Sequence, residues 1–129
     1  MKVMVLVKAT ELSETGALPS TAARSAMERF NGELVKAGVL LAAEGLQASS
    51  KGKRVHYRGA ERHVVDGPFA ETKELIAGFW LWQVKSMEEA IEWLKRCPNP
   101  GPGEWVIEAR PIFEAADFCD AAPAAARAT

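Results

Sequence analysis

The first third of the chain has the pattern of a strand, a helix and a second strand. Residues 2–8, KVMVLVK, are mostly aliphatic and β-branched, which predicts a strand packed on at least one face. Pro19 and Ser20 offer a helix start, and Gly38 can take the left-handed conformation at which helices often end. The apolar positions between them recur at helical spacing and form one stripe: Ala23, Met27, Phe30 and Leu34. The run VLLAAEGL that follows Gly38 predicts the second strand.

A β-hairpin is predicted next, in the segment RVHYRGAERHVVDG. Polar and apolar residues alternate there in two short runs around Gly59, which is the pattern of two strands joined by a tight turn. Residues 55–57 and 63–65 form the two arms. The hairpin therefore interrupts the chain as an insertion between the two halves of the fold.

The second half repeats the order of strand, helix and strand. AGFWLWQV, from Ala77 onward, is aromatic and β-favouring, and Ser86 stands three residues before a glutamate, as a helix N-cap does. The expected buried stripe of this helix is Ala90, Ile91 and Leu94. Pro98 forbids continuation of the helix. Residues 105–113, WVIEARPIF, predict a last strand, in which Pro111 requires an edge position or a bulge.

This order predicts an α+β fold of ferredoxin-like βαβ-βαβ layout, with one antiparallel sheet, both helices on one face and the β-hairpin as an insertion. Residues 1–113 form a single domain, and residues 114–129 form an Ala-rich extension that is loose or packed on a partner. The uncovered side of the sheet exposes a large apolar patch if strand alternation places Trp80 or Trp82 there. A second copy of the chain would cover that patch, so we expect a homodimer.

Composition narrows the classes of partner. The chain has 129 residues, 48% hydrophobic and 26% charged, which is typical of one globular domain. Sixteen basic and seventeen acidic residues give a net charge of -1, so no broad positive field is available to attract nucleic acid. The longest apolar run, residues 39–43, is too short to cross a membrane, and the start of the chain has a strand pattern rather than that of a signal peptide. We therefore expect a cytoplasmic protein.

The sequence predicts neither a cofactor nor a metal ion. GxGxxG, P-loop, HExxH and CxxC motifs are all missing from the sequence. His56 and His63 do not stand at metal-ligand spacing from a cysteine. Cys97 and Cys119 are expected to be free thiols, because a chain of this size has a sufficient core without a disulfide.

The segment VDGPF is the first candidate for function. Asp66 ends a strand and Gly67-Pro68 fixes a tight turn, so Asp66 is either a turn cap that accepts backbone N–H bonds or a functional carboxylate. Glu71 and Lys73 follow closely, which crowds ionisable groups into one loop beside the sheet.

Glu44 is the second candidate, because it interrupts an apolar strand where an unpaired charge is costly. Glu108 and Arg110 point to one face of the last strand, and Arg110 is a natural ion-pair partner for an acid between two facing sheets. Glu44 is therefore either half of a structural salt bridge or a proton-transfer group. The catalytic candidates are Asp66 and Glu44, and the ligand-binding candidates are Gly67, Pro68, Phe69, Glu71, Lys73, Trp80 and Arg110.

The segment VVDGPFAETKELIAGFWLWQVKSMEEAIEWLKRCP, with AGVLLAAEGLQ before it and IEARPIF after it, resembles the DGPF-type branch of the YCII-related family over residues 1–113. The resemblance implies a dimeric α+β barrel in which two sheets face each other. Some relatives are enzymes that act on small, often aromatic or halogenated molecules through a histidine and an aspartate. The first helix here contains no histidine, so that pair does not transfer to this chain.

Two functions follow from these observations. The first is a small-molecule binding protein, with a lyase or isomerase as one form of it. Its pocket would lie between the first helix, the DGPF turn and the facing sheets, with Asp66 as polar anchor or base. The second is a non-catalytic accessory or regulatory dimer that contacts another protein, since the resemblance links DGPF-type proteins to alternative sigma factors. Whether the protein is an enzyme stays open at this point.

Overall fold

A computed structural model describes residues 1–99 and 103–119. The strands are β1 (Lys2–Lys8), β2 (Leu40–Gly45), β3 (Lys53–Arg58), β4 (Glu61–Asp66), β5 (Ile76–Gln83) and β6 (Ile107–Pro111). The helices are α1 (Glu11–Glu14), α2 (Thr21–Lys36) and α3 (Met87–Lys95), and short 3-10 turns lie at Ser49–Lys51, Thr72–Glu74 and Ala115–Phe118. The chain is thus a mixed α+β protein, as the order of its elements predicts.

Four strands form the main sheet in the order β2-β5-β1-β6, and every neighbouring pair is antiparallel. This order is compatible with a ferredoxin-like fold. β2 and β6 are the two edges, and Pro111 ends the edge strand β6, which confirms that proline is tolerated here because its missing N–H lies at an edge. The two faces of this sheet differ, because one packs against the helices and the other points away from them.

One face of the sheet packs against α2 and α3 and forms the core. Val3 and Val5 of β1 lie beside Trp82 and Trp80 of β5, and all four side chains are buried with Phe30 and Leu34 of α2. Trp80 is 5% exposed and Trp82 0%. The expectation that Trp80 or Trp82 could lie on the uncovered face is therefore wrong, because strand alternation turns both indoles toward the helices.

The helix ends follow the local sequence. Ser20 and Ser86 cap α2 and α3 by accepting hydrogen bonds from the Ala23 and Glu89 backbone N–H groups, which confirms both predicted starts. Gly38 has φ 73° and ends the turn after α2. Ile91 departs from the predicted stripe of α3, because it is exposed while Ala90 is buried.

The other face of the sheet points away from α2 and α3. At its centre lie four apolar side chains from β1 and β5, none of which belongs to the core cluster: Met4, Leu6, Phe79 and Leu81. Cross-strand pairing continues this row to Glu44 on the β2 edge and to Glu108 and Arg110 on the β6 edge. We call these seven residues the open face. It is apolar in the middle and charged at both edges.

β3 and β4 form a separate two-stranded hairpin, as predicted around Gly59, and the residues of both strands are exposed. The predicted C-terminal extension begins with a short 3-10 turn in which the side chain of Asp117 accepts a hydrogen bond from the backbone of Glu114. Residues 120–129 of that extension lie outside the described part of the chain. Among the described residues, no helix has the length and apolar character needed to span a membrane.

Candidate functional site

The DGPF turn, residues 66–69, is held against the 3-10 turn Ser49–Lys51. The Gly67–Pro68 peptide bond is cis, and the Gly67 N–H donates to the Gly52 carbonyl oxygen at 3.0 Å. A Cβ added at Gly67 would lie 1.8 Å from the Ser49 carbonyl oxygen. The glycine in this motif is therefore required by contact between two pieces of backbone.

Ser49 joins the DGPF turn to the N-terminal part of the chain. Its Oγ accepts a hydrogen bond from the Phe69 N–H at 3.1 Å and donates one to Glu14 Oε1. The Ser49 N–H donates to Glu14 Oε2 at 2.9 Å. We call Glu14, Ser49 and Phe69 the Ser49 clasp. Sequence reasoning missed Glu14 and Ser49, because the contact spans 35 residues and neither residue lies in a recognisable motif.

Asp66 forms a surface ion pair. Its Oδ1 lies 2.5 Å from Lys53 Nζ, across the first pair of the hairpin, and its side chain is 73% exposed. The partner is thus a lysine and not the backbone N–H groups that the turn-cap interpretation requires. Pairs in this setting contribute little to stability because water screens both charges. The catalytic role predicted for Asp66 stays a prediction.

Glu71 and Lys73 follow the turn, and Lys73 lies beside the end of β1. Glu71 has φ 62°, a left-handed conformation that is uncommon for residues other than glycine. Lys73 lines a shallow cleft of about 90 Å³ together with Lys8, Ala9, Thr10, Glu104 and Val106. Of the predicted ligand-binding residues, Lys73 is the one that lines this cleft.

Glu44 and Arg110 lie on the open face but on opposite edge strands. The contact of Arg110 is with its neighbour Glu108, Nε to Oε2 at 3.8 Å, and the side chain is 71% exposed. Glu108 also lies 3.4 Å from Lys8 Nζ, so Lys8 reaches the same face. Within one chain, the predicted pairing of Arg110 with Glu44 does not form, since two inner strands separate the edges.

Trp80, the remaining predicted ligand-binding residue, lies in the core. Its Nε1 donates a hydrogen bond to Asn31 Oδ1 at 2.9 Å, and its ring packs edge-on against Phe30 with the ring centroids 5.9 Å apart. A ligand on the open face would not meet this indole, because the sheet lies between them.

The YCII-related domain matches residues 1–116, which is most of the chain and includes the whole four-stranded sheet. The chain belongs to the YCII-related family. It is also 34% identical over 88 residues to an uncharacterized protein of Rhizobium meliloti, a match that covers 68% of each chain. The matched residues include those of the hairpin and of the DGPF turn, and the relative adds no activity.

A second cleft of this YCII-related protein, about 240 Å³, is lined by Leu94, Cys97, Asn99, Trp105 and Ile107. Burial raises the pKa of Cys97 to about 11. The thiol is therefore protonated near neutral pH, and the thiolate needed for nucleophilic attack is scarce. Both cysteines are free, and Cys119 is the exposed one.

The described residues of this YCII-related protein place no group of three or more His, Cys, Asp or Glu side chains where they could hold a metal ion. The structure instead brings together two other features. One is the open face, with Glu44, Glu108, Arg110 and Lys8 around its apolar centre. The other is the DGPF turn, which the Ser49 clasp holds beside the sheet.

Proposed function

We propose that this chain forms a homodimer through its open face, and that the space between the two sheets binds a small molecule. The observation that carries the proposal is the set of four apolar side chains on the face that α2 and α3 leave uncovered. Apolar residues gathered on one side of a sheet favour association, because a second apolar surface removes them from water. Two such sheets facing each other would form a dimeric α+β barrel.

The charges on the open face favour one arrangement of the two copies. A twofold axis parallel to the strands places β2 of each copy over β6 of the other at the same level. Glu44 then lies over Glu108 and close to Arg110, whose guanidinium contacts Glu108. An axis across the strands places β2 over β2, so that Glu44 faces its own copy. The first arrangement brings the Arg110 guanidinium between two carboxylates, whereas the second sets Glu44 against Glu44 without an arginine from β6, so the first is the favourable one. Arg110 then bridges Glu108 and the second copy's Glu44.

A charge exchange tests this arrangement. Arg110→Glu places a third carboxylate beside Glu44 and Glu108. We expect this repulsion to raise the dimer dissociation constant by about tenfold, which corresponds to a loss of roughly 1.4 kcal/mol in binding free energy. The double variant Glu44→Arg/Arg110→Glu restores opposite charges and is expected to recover wild-type affinity in sedimentation equilibrium. A double variant that dimerises no more tightly than the single one would contradict the arrangement, since the other axis would only exchange a pair of acids at position 44 for a pair of bases.

The proposed ligand is a small acid with an apolar body. Leu6 and Phe79 offer an apolar wall, and Lys8, beside them, leads to the cleft that Lys73 lines. An ammonium group at the end of an apolar surface favours a carboxylate at one end of the ligand and a ring or alkyl group at the other. Glu44 lies on the same face, so it is the carboxylate that would serve a lyase or isomerase step, ahead of the ion-paired Asp66.

Methionine methyl NMR tests ligand binding, with benzoate as the probe. Met4 lies on the open face, whereas Met27 and Met87 pack against the core on the helix side. We expect benzoate to shift the Met4 methyl resonance in a saturable way and to leave the Met27 and Met87 resonances in place. Benzamide, which has the same shape without the charge, should shift Met4 less. A Met4 resonance that neither compound moves would remove the small-molecule part of the proposal and leave the dimer intact.

A further inference from the structure

We infer that the β3–β4 hairpin is an arm that packs on the start of β6 in the second copy of the chain. The arm is defined as residues 51–66. The inference rests on the proposed homodimer and adds a second contact region to it, outside the open face. Three properties of the arm support it: its exposure, its charge and the place where it leaves the sheet.

The arm has little cover within its own chain. Every residue of β3 and β4 is exposed, including Val55, Val64 and Tyr57, and the Tyr57 ring is 72% exposed. A lone two-stranded hairpin is marginally stable in water, because neither of its faces is packed. Apolar side chains paired across one face of such a hairpin, as Val55 and Val64 are, gain stability when another surface covers them.

The charge of the arm is opposite to that of the rest of the chain. Residues 51–66 contain five lysines and arginines against two acids, in a chain whose net charge is -1. The remainder of the chain therefore carries an excess of four negative charges. Glu104 belongs to this acidic remainder and lies just before β6, whereas Glu108 of β6 already contacts Lys8 and Arg110. A second copy thus carries an overall charge opposite to that of the arm, with Glu104 in the contact region.

The chain leaves the sheet to form the arm at the same end at which β6 begins, which is the end that this contact requires. One row of cross-strand partners at this end runs across all four strands and consists of Gly45, Gly78, Val7 and Ile107. The chain leaves the sheet after Gly45 to form the arm, and β6 begins at Ile107 in that same row. A twofold axis parallel to the strands keeps this level, so the root of the arm in one copy faces the start of β6 in the other. Val106, which is exposed, lies there beside Glu104.

Nucleic acid fits the arm less well. Lys53 is paired with Asp66, and the guanidinium groups of Arg54 and Arg62 lie over the rings of Phe69 and Tyr57, at 3.9 and 4.5 Å. Most of the basic groups therefore already contact their own chain. A phosphate backbone is bound by many free cations at once, typically about 6–10 contacts.

Cross-linking between differently tagged copies tests the inference. One copy carries Tyr57→Cys and the other Val106→Cys, both with Cys119→Ser, and the mixture is treated with a short bis-maleimide at neutral pH. We expect a cross-linked heterodimer from this mixture and its loss when Val35→Cys, on the outer side of α2, replaces Val106→Cys. Arg58→Glu should also raise the dimer dissociation constant by about tenfold, the scale of one favourable charge contact.

The outcomes separate this inference from the proposed function. A mixture that sediments as dimers without the cross-link would overturn the placement of the arm and leave the open-face dimer standing. A wild-type chain that sediments only as a monomer would overturn both. Binding of a labelled oligonucleotide that Arg58→Glu abolishes, with no change in dimer affinity, would assign the arm to nucleic acid and overturn the inference.

Discussion

Replacing Leu6 with glutamate is expected to convert the dimer into monomers that are still folded. Leu6 lies at the centre of the open face, between Phe79 and Glu108 in the row that Glu44 begins. In the dimer the new carboxylate would lose its water on an apolar surface, which costs several kcal/mol. Because about 1.4 kcal/mol corresponds to a tenfold change in affinity, we expect the dissociation constant to rise by at least about 100-fold. Sedimentation velocity at several concentrations measures it.

Val35→Glu is the matched control for that experiment. Val35 is an exposed apolar residue of α2, far from the open face in the layered fold, so the same change of charge leaves the dimer unaffected there. Circular dichroism should show that both variants keep the secondary structure of the wild type. A Leu6→Glu chain that dimerises as tightly as Val35→Glu would show that the open face is not the interface.

Gly67→Ala is expected to cost about 3 kcal/mol of unfolding free energy, the upper range for forcing atoms into an occupied space. The added Cβ would lie 1.8 Å from the Ser49 carbonyl oxygen, and that backbone is fixed by the two bonds from Ser49 to Glu14. The DGPF turn must then move away from Ser49 and break the bond from the Phe69 N–H to Ser49 Oγ. Urea unfolding measures the change in free energy, and amide hydrogen exchange at Phe69 reports the loss of that bond.

Gly32→Ala is the control for the glycine substitution. Gly32 lies within α2, and a Cβ there meets nothing within 4 Å. Alanine is favoured over glycine in helices by about 1 kcal/mol, so this variant should be slightly more stable than the wild type. Equal stability of Gly67→Ala and the wild type would mean that the turn does not need its close approach to Ser49.

Much of the fold can be read from local sequence signals. Ser20 and Ser86 mark the helix starts because a serine side chain satisfies N–H groups that the helix leaves free, and the structure shows both bonds. Gly59 marks the hairpin for a similar local reason, since its φ of 58° lies in the left-handed region. The short helix α1 was not predicted, although Thr10 and Ser13 form a capping box at its start. Four residues are too few to give an apolar stripe.

Two features could not be predicted from local signals: which face of the sheet the helices cover, and which residues far apart in the chain come into contact. The alternation of GFWLWQ in β5 fixes that Trp80 and Trp82 share one face and Phe79 and Leu81 the other, but both faces are apolar, so the pattern does not say which one the helices cover. The Ser49 clasp is a contact between residues far apart in the chain, and serine and glutamate carry no signal of it. Asp66 and Glu44, by contrast, were predicted as candidates because they are carboxylates at unusual positions in the sequence. Asp66 is ion-paired at the surface, and Glu44 lies on an exposed edge strand.

The proposed ligand site and the proposed packing of the arm both need a second copy over the open face, because both use the facing sheet. The geometry gives this face an apolar centre that does not belong to the core, and charged side chains at both edges. The Ser49 clasp holds the DGPF turn beside the sheet, and the catalytic role of Asp66 stays a prediction.

Small-angle X-ray scattering of the unchanged chain tests this dependence most directly. The forward scattering gives the mass of the particle, and we expect twice the 14.0 kDa of one chain, unchanged on dilution through the micromolar range. A mass of 14.0 kDa at every concentration would leave Met4, Leu6, Phe79 and Leu81 facing water and would contradict the account.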